Sequence, residues 1–143
     1  LACRGREEGR IGGVAMVDAS AATTPRKAIG ALAGLDPSRV VLLAGGETEV
    51  NGLPVQASAP EVAELTDAVR ALASCRAIIA FGPAAARLSA TIAVATLSEA
   101  VAVALTRARP GDTILLAPMF PLSMEERSAF ATLAGGGSTT VRP

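Results

Sequence analysis

The chain has no histidine, tryptophan or tyrosine, only three phenylalanines and two cysteines, and a single lysine, Lys27. Without histidine, no Ser/His/Asp triad or Cys/His pair can be assembled. Cys3 and Cys75 lie far apart with no CxxC spacing, so no zinc-type ligand set exists. They read as buried or idle thiols and fit a reducing compartment. No apolar run approaches the ~20 residues that a membrane-crossing helix needs. No signal peptide is visible, and a cytoplasmic location is expected. Thirteen basic residues balance thirteen acidic ones, for a formal net charge of zero. That balance argues against a nucleic-acid or anionic-membrane surface, which needs clustered basic charge. Neither GxGxxG nor GxxxxGK[ST] occurs, which argues against a self-contained dinucleotide or P-loop site.

What is present is apolar and periodic. Half of the 143 residues are hydrophobic, supplied by Ala, Val, Leu and Ile. The length suits one domain. The first residue is Leu1 rather than Met, and the chain is expected to be a piece of a longer protein. Short β-like runs alternate with helical patterns: strands at 13–18, 39–44, 76–81 and 113–117, with a minor one at 92–94. Thr24 followed by Pro25 predicts a capped helix to about Leu35. Ser58-x-x-Glu61, Thr96-x-x-Glu99 and Ser123-x-x-Glu126 are capping boxes that open three more helices. The helix opened by Ser58 shows Val62, Leu65, Val69 and Leu72 on one face, and a short helix is expected after Gly82-Pro83, to Leu88. The last is expected to end at the glycines Gly135 to Gly137, before a possible edge strand at 139–141. Residues 47–57 read as a loop, and the polar stretch carrying Arg4, Arg6 and Arg10 reads as a solvated segment.

Strand and helix alternating through short connections imply parallel strands joined by right-handed crossovers. Continuously apolar strands imply that both sheet faces are covered. The expected fold is a three-layer, Rossmann-like α/β sandwich with a mostly parallel sheet. Ligands of such folds sit beyond the carboxyl ends of the strands, which singles out 18–24, 45–51, 81–85 and 117–123. Within these, Gly45-Gly46 offers either a phosphate cradle or simply a tight βα turn. Thr24 reads as an N-cap. For Ser20 and Thr23, anion binding and helix capping remain open alternatives. Glu125, Glu126 and Arg127 read as a solvated helix face, because adjacent helical residues point apart.

Several of these segments, in the same order, resemble the C-terminal domain of the UDP-N-acetylmuramoyl-L-alanine:D-glutamate ligases, a branch of the Mur ligases. Leu1-Ala2-Cys3-Arg4, then Gly13-Val14, then Asp18-Ala19-Ser20-Ala21-Ala22-Thr23-Thr24-Pro25 are similar to that family's Leu-Pro-His-Arg, Gly-Val and Asn-Asp-Ser-Lys-Ala-Thr-Asn-Pro. Gly45-Gly46 falls on the family's glycine pair. Arg109 to Pro118 resembles its Pro-Gly-Asp-x-Val-Leu-Leu-Ser-Pro, and Glu125-Glu126-Arg127 its Glu-x-Arg-Gly. The similarity covers most of the chain.

The resemblance implies one lobe of an ATP-dependent, amide-forming ligase of peptidoglycan precursor synthesis. In that family the carboxylate of a nucleotide-sugar substrate is phosphorylated, and the amine of D-glutamate attacks the acyl phosphate. ATP and Mg2+ are implied as cofactors, bound mainly outside this chain in a central domain, and the N-terminal and central ligase domains would be its partners. By position, Arg4 matches an ATP-approaching arginine, Thr23 a threonine on the amino-acid carboxylate, and Ser20 a serine of the same loop. Gly45 and Gly46 match the glycine pair, and Ser123 stands in for a serine of a stretch that is shortened here. The resemblance assigns this chain no metal ligand and no catalytic residue.

The departures from the pattern are in charge. The family's aspartate falls at Ala19, its first lysine at Ala21 and its second at Glu49. A carboxylate at Glu49 would repel an acidic substrate. Charge-assisted contacts are worth about 1.5–3 kcal/mol each, so losing two cations weakens an anion site. Three readings follow: a ligase domain impaired in catalysis, a non-catalytic pseudo-ligase domain used for protein interaction or scaffolding, and a ligase with a non-acidic acceptor.

Overall fold

The computed structural model describes residues 5–88 and 90–140, the side chains of 136–140 excepted. Its elements run β1 (Arg6–Ile11), β2 (Val14–Asp18), α1 (Pro25–Leu32), β3 (Val40–Gly45), β4 (Glu49–Val50), β5 (Leu53–Pro54), α2 (Ala59–Ala71), β6 (Ala77–Phe81), β7 (Ile92–Val94), α3 (Leu97–Arg107), β8 (Thr113–Met119) and α4 (Met124–Thr140). Short 3-10 turns lie at Pro37–Arg39, Leu72–Ser74 and Pro83–Arg87. Six strands form one sheet in the order β1-β2-β8-β3-β6-β7, and β4 pairs only with β5. All neighbours in the large sheet are parallel except β1, which runs antiparallel to β2. This is the three-layer, mostly parallel α/β sandwich expected from the strand–helix alternation.

The strands sort their side chains by period two. On β3, Val40, Leu42 and Ala44 face one core, with Ala28 and Ala31 of α1 and Leu65 and Ala68 of α2. Val41 and Leu43 face the other, with Leu97, Val101 and Ala104 of α3 and Phe130 and Ala134 of α4. β8 alternates likewise: Leu115, Ala117 and Met119 on the first side, Ile114 and Leu116 on the second. Burying both faces explains why these strands read as unbroken apolar runs.

The connections position the site. The chain leaves β2 and β3 toward the α1/α2 face, and leaves β8 toward the α3/α4 face. β8 lies between β2 and β3, so the direction of winding changes on either side of it. Such a change opens a crevice at the carboxyl ends of the strands.

Several local expectations are corrected. Residues 6–11, read as a solvated polar segment, form strand β1, turned by Gly12 and Gly13 at φ 58° and 80°. Its alternation is hidden because an edge strand keeps charged residues on its open side. Residues 47–57 contain the β4–β5 hairpin, turned by Asn51 and Gly52 at φ 53° and 77°, the left-handed pair that a two-residue turn requires. Helix α1 stops at Leu32, three residues short of the expected end, where the Ala33 N–H bonds to the Gly30 carbonyl. On α2 the buried residues are Leu65 and Ala68, with Leu72 buried in the turn that follows, while Val62 is 45% exposed. Helix α4 continues through Gly135 and Gly137 to Thr140, so residues 139 and 140 are helical and not an edge strand. A glycine run weakens a helix without forbidding it.

Candidate functional site

The loop from β2 to α1 is drawn tight by its own backbone. Asp18 Oδ1 accepts the Ser20 N–H at 2.7 Å, the Ala22 N–H reaches the Ala19 carbonyl at 2.8 Å, and the Thr23 N–H reaches Ala21 at 2.9 Å. Thr24 caps α1, its Oγ1 accepting the Lys27 N–H at 3.3 Å. Ser20 and Thr23 are half-buried, and their hydroxyls have no hydrogen-bond partner among the described residues. Capping is therefore done by Thr24, which leaves the two other hydroxyls available to a ligand. The Met119 N–H donates to the Ala22 carbonyl at 2.9 Å, tying this loop to the end of β8.

Gly45 and Gly46 permit close backbone packing. A Cβ on Gly45 would lie 2.0 Å from the Phe81 carbonyl oxygen, and one on Gly46 2.4 Å from that of Pro121. The Gly46 N–H is already bonded to Phe81 O at 3.2 Å, and its carbonyl accepts the Ala84 N–H at 3.0 Å. The pair thus shapes the turn, and Gly46 has no spare N–H for a phosphate. The Glu47 N–H donates to Pro121 O at 2.8 Å, joining the β3 and β8 loops.

Beyond β3, β6 and β7 lies a cleft of about 580 Å³, lined by Glu47, Gly82, Thr96, Ser98, Ser123 and Glu126 among others. The amino ends of α3 and α4 open onto it, but both are capped. Thr96 Oγ1 accepts the Glu99 N–H at 3.1 Å. Ser123 Oγ accepts the Glu126 N–H at 3.1 Å, while Glu126 Oε1 accepts the Ser123 N–H at 3.0 Å, a reciprocal capping box. Glu125 also lines the cleft, and no Lys or Arg does. Of the predicted residues Ser123 lines this cleft, Gly46 packs against the Pro121 and Gly82 backbone behind it, and Ser20 and Thr23 sit on the separate β2–α1 loop. Arg4 lies outside the described residues.

The cleft's lining does not fit a polyphosphate. Three glutamates oppose it, and the Gly46 N–H is used internally. No group of three or more His, Cys, Asp or Glu among the described residues could hold a metal ion. Ala21 and Glu49 are both exposed, so the positions where a cation is missing face solvent.

One residue at this end gives no signal in the sequence. Gln56 is 9% exposed, and its Nε2 donates to the Thr23 carbonyl at 3.1 Å and to the Met119 carbonyl. Arg87 Nη1 holds the same segment by donating to Val55 O at 2.7 Å, and its guanidinium lies 6.0 Å from the centre of the Phe120 ring. Both depend on contacts 31 or more residues away, which no local pattern encodes.

No protein-family model matches the chain. Three relatives described as UDP-N-acetylmuramoylalanine–D-glutamate ligase do align with it. That of Symbiobacterium thermophilum is 35% identical over 118 residues, covering 76% of this chain and 23% of the relative. That of Rubrobacter xylanophilus is 31% identical over 140 residues, covering 87% and 29%. That of Methylococcus capsulatus is 39% identical over 108 residues, covering 76% and 22%. The chain thus spans less than a third of the length of these relatives. A crystal structure of MurF ligase from Thermotoga maritima in complex with ADP matches 97% of this chain and 31% of its own, with a TM-score of 0.60 and 15% identity, a likeness of fold. A sequence that follows one segment of several D-glutamate-adding ligases, folded as part of a Mur ligase is folded, belongs to the Mur ligase family as a C-terminal domain of it.

Proposed function

We propose that this single domain is one lobe of a longer, ATP-dependent amino-acid ligase of the D-glutamate-adding type, working in peptidoglycan precursor synthesis. In this reading ATP and Mg2+ are held mainly by a central domain of the full-length protein, and Arg4 is assigned to the nucleotide by its position in the sequence. ATP supplies the activated acyl phosphate. This domain's part is to close over the reacting centre, exclude water and orient the incoming amino acid. Ser20 and Thr23 bind that amino acid with their unpartnered hydroxyls. Gly45, Gly46 and Ser123 shape the crevice beside them. The reaction needs no acid or base from this domain, and the domain alone is inactive.

The observation that carries this reading is the pair of half-buried hydroxyls of Ser20 and Thr23, without a hydrogen-bond partner among the described residues, on the loop that leaves the carboxyl end of β2. Their setting also limits it. Alanine at 21 and glutamate at 49 leave a bound D-glutamate without a cation, so catalysis with that acceptor is impaired. A second reading, a ligase whose acceptor is not acidic, is favoured by the glutamate lining of the cleft. Calorimetric titration of the full-length protein with Mg-ATP, then with D-glutamate in the presence of the nucleotide-sugar precursor, tests both. Saturable heats for each ligand support the D-glutamate reading. Heat from ATP alone supports the changed acceptor. No heat from either, in a folded protein, leaves a pseudo-ligase domain that serves protein interaction.

A further inference from the structure

We propose that Gln56 is a positioning residue, whose side-chain amide sets the placement of Thr23 relative to the loop that follows β8. The proposal rests on the ligase reading above for what Thr23 does, but its geometry stands apart. Gln56 lies at the end of the segment that carries the β4–β5 hairpin, just before α2. Its Nε2 donates to the Thr23 carbonyl, 33 residues back, and to the Met119 carbonyl, 63 residues ahead. One amide thus fastens loops from three strands: β2 through Thr23, β3 through its own segment, and β8 through Met119. Four residues beyond Met119 is Ser123, which lines the cleft.

Two further features mark this placement as built. Gln56 and Met119 both hold positive φ, 51° and 65°, a conformation that residues other than glycine rarely adopt. Arg87 secures the backbone of Gln56 from outside, donating to the carbonyls of Val55 and Gln56 at 2.7 and 3.4 Å. The side chain is also a poor choice for packing alone. Its Oε1 is buried and finds no partner among the described residues, so part of its hydrogen-bonding capacity is unmet. An apolar side chain of the same length would fill the space without that cost, but would release both carbonyls. The donors, and hence the spacing between Thr23 and the β8 loop, are what glutamine uniquely supplies here.

The test uses the full-length protein with Gln56→Met, which keeps length and volume, and Gln56→Glu, which keeps shape but removes the donors. Steady-state kinetics should show KM for the incoming amino acid raised about tenfold, with KM for ATP and for the nucleotide-sugar substrate nearly unchanged, since only amino-acid placement is disturbed. Amide hydrogen exchange, read by mass spectrometry on the same variants, should quicken in residues 19–27 and 117–123 and stay constant in β3 and β6. Equal KM values with less active enzyme, exchange that quickens everywhere, or failure of both variants to fold would assign Gln56 to the core and overturn the proposal. If the unaltered protein shows no ligase turnover, the ligase reading falls. The exchange pattern then decides alone: local quickening upholds the clamp, and none refutes it.

Discussion

Arg76 Nε lies 2.7 Å from Asp112 Oδ2, and Arg76 Nη2 donates to Oδ1 at 3.1 Å, across 36 residues of sequence. Asp112 is 2% exposed. It also accepts the Arg109 N–H at 2.8 Å and has Arg39 Nε at 3.8 Å. Arg39, Arg76 and Asp112 precede β3, β6 and β8, so the cluster binds the amino ends of three central strands, opposite the candidate site.

Burial pushes the Asp112 carboxyl up, but the Arg109 N–H, the Arg76 hydrogen bond and the charges of Arg76 and Arg39 outweigh it and hold the carboxyl below its ordinary range. A depressed carboxylate contributes stability that is present above its unfolded value and is lost as pH falls through the folded one. Asp112→Ala is expected to cost about 2 kcal/mol at pH 7, less than a wholly buried pair would, because Arg76 keeps contact with solvent. Urea unfolding of parent and variant should show the gap begin to narrow below about pH 4, the unfolded carboxylate value, and close as pH falls through the lower folded one.

Gly45→Ala and Gly46→Ala should each destabilise the fold by about 3 kcal/mol or more, since the new methyl meets a backbone oxygen and the φ values of 142° and 124° exclude a side chain. Thermal unfolding measures this. Gly34→Ala serves as a comparison, because nothing lies within 4 Å of its Cβ position and only the φ of 85° opposes it. A Gly45→Ala domain as stable as Gly34→Ala would refute the close-packing role.

Burial raises the Cys75 thiol to about 11, so at neutral pH it is not ionised. Alkylation at pH 7.5 followed by peptide mapping should leave Cys75 unmodified in the native protein and label it fully in urea. Rapid native labelling would mean that the segment around Leu72 to Cys75 opens far more readily than its burial implies.

Restoring positive charge should restore acid recognition. The double variant Ala21→Lys, Glu49→Lys of the full-length protein is expected to bind D-glutamate about tenfold or more tightly, the scale of one charge-assisted contact. Both positions are exposed, so the fold should tolerate the change. Unchanged affinity, measured by the titration described above, would remove these two positions from the account of acceptor choice.

The central sheet was legible in the sequence because β3, β6 and β8 are buried on both faces, leaving unbroken apolar runs that polar turns punctuate. The helix starts were legible for a local reason. Thr24, Ser58 and Ser123 cap within three residues, and each is found doing so. The β4–β5 hairpin did carry a signal, Asn51-Gly52, but its strands are two residues long and too short to show alternation. Strand β1 gave none, since no residue of REEGRI is buried and half of them are exposed. At the site, residue type suggested Ser20 and Thr23 and Thr24 already read as the cap, but only the structure shows that the Ser20 and Thr23 hydroxyls have no partner among the described residues. Spacing could not reveal that Gly46 spends its N–H on Phe81, nor that Gln56 reaches Thr23 and Met119, because each partner comes from a distant strand.

The antiparallel β1 has a further consequence. A parallel sheet that ended at β2 would expose an apolar strand whose free N–H and C=O groups could recruit a second chain. Here that margin is closed by a strand carrying Arg6, Glu7, Glu8 and Arg10, and the opposite margin by β7, only three residues long. Charged or abbreviated borders discourage sheets from adding to one another. Both margins of the sheet are thus poor templates for a further strand.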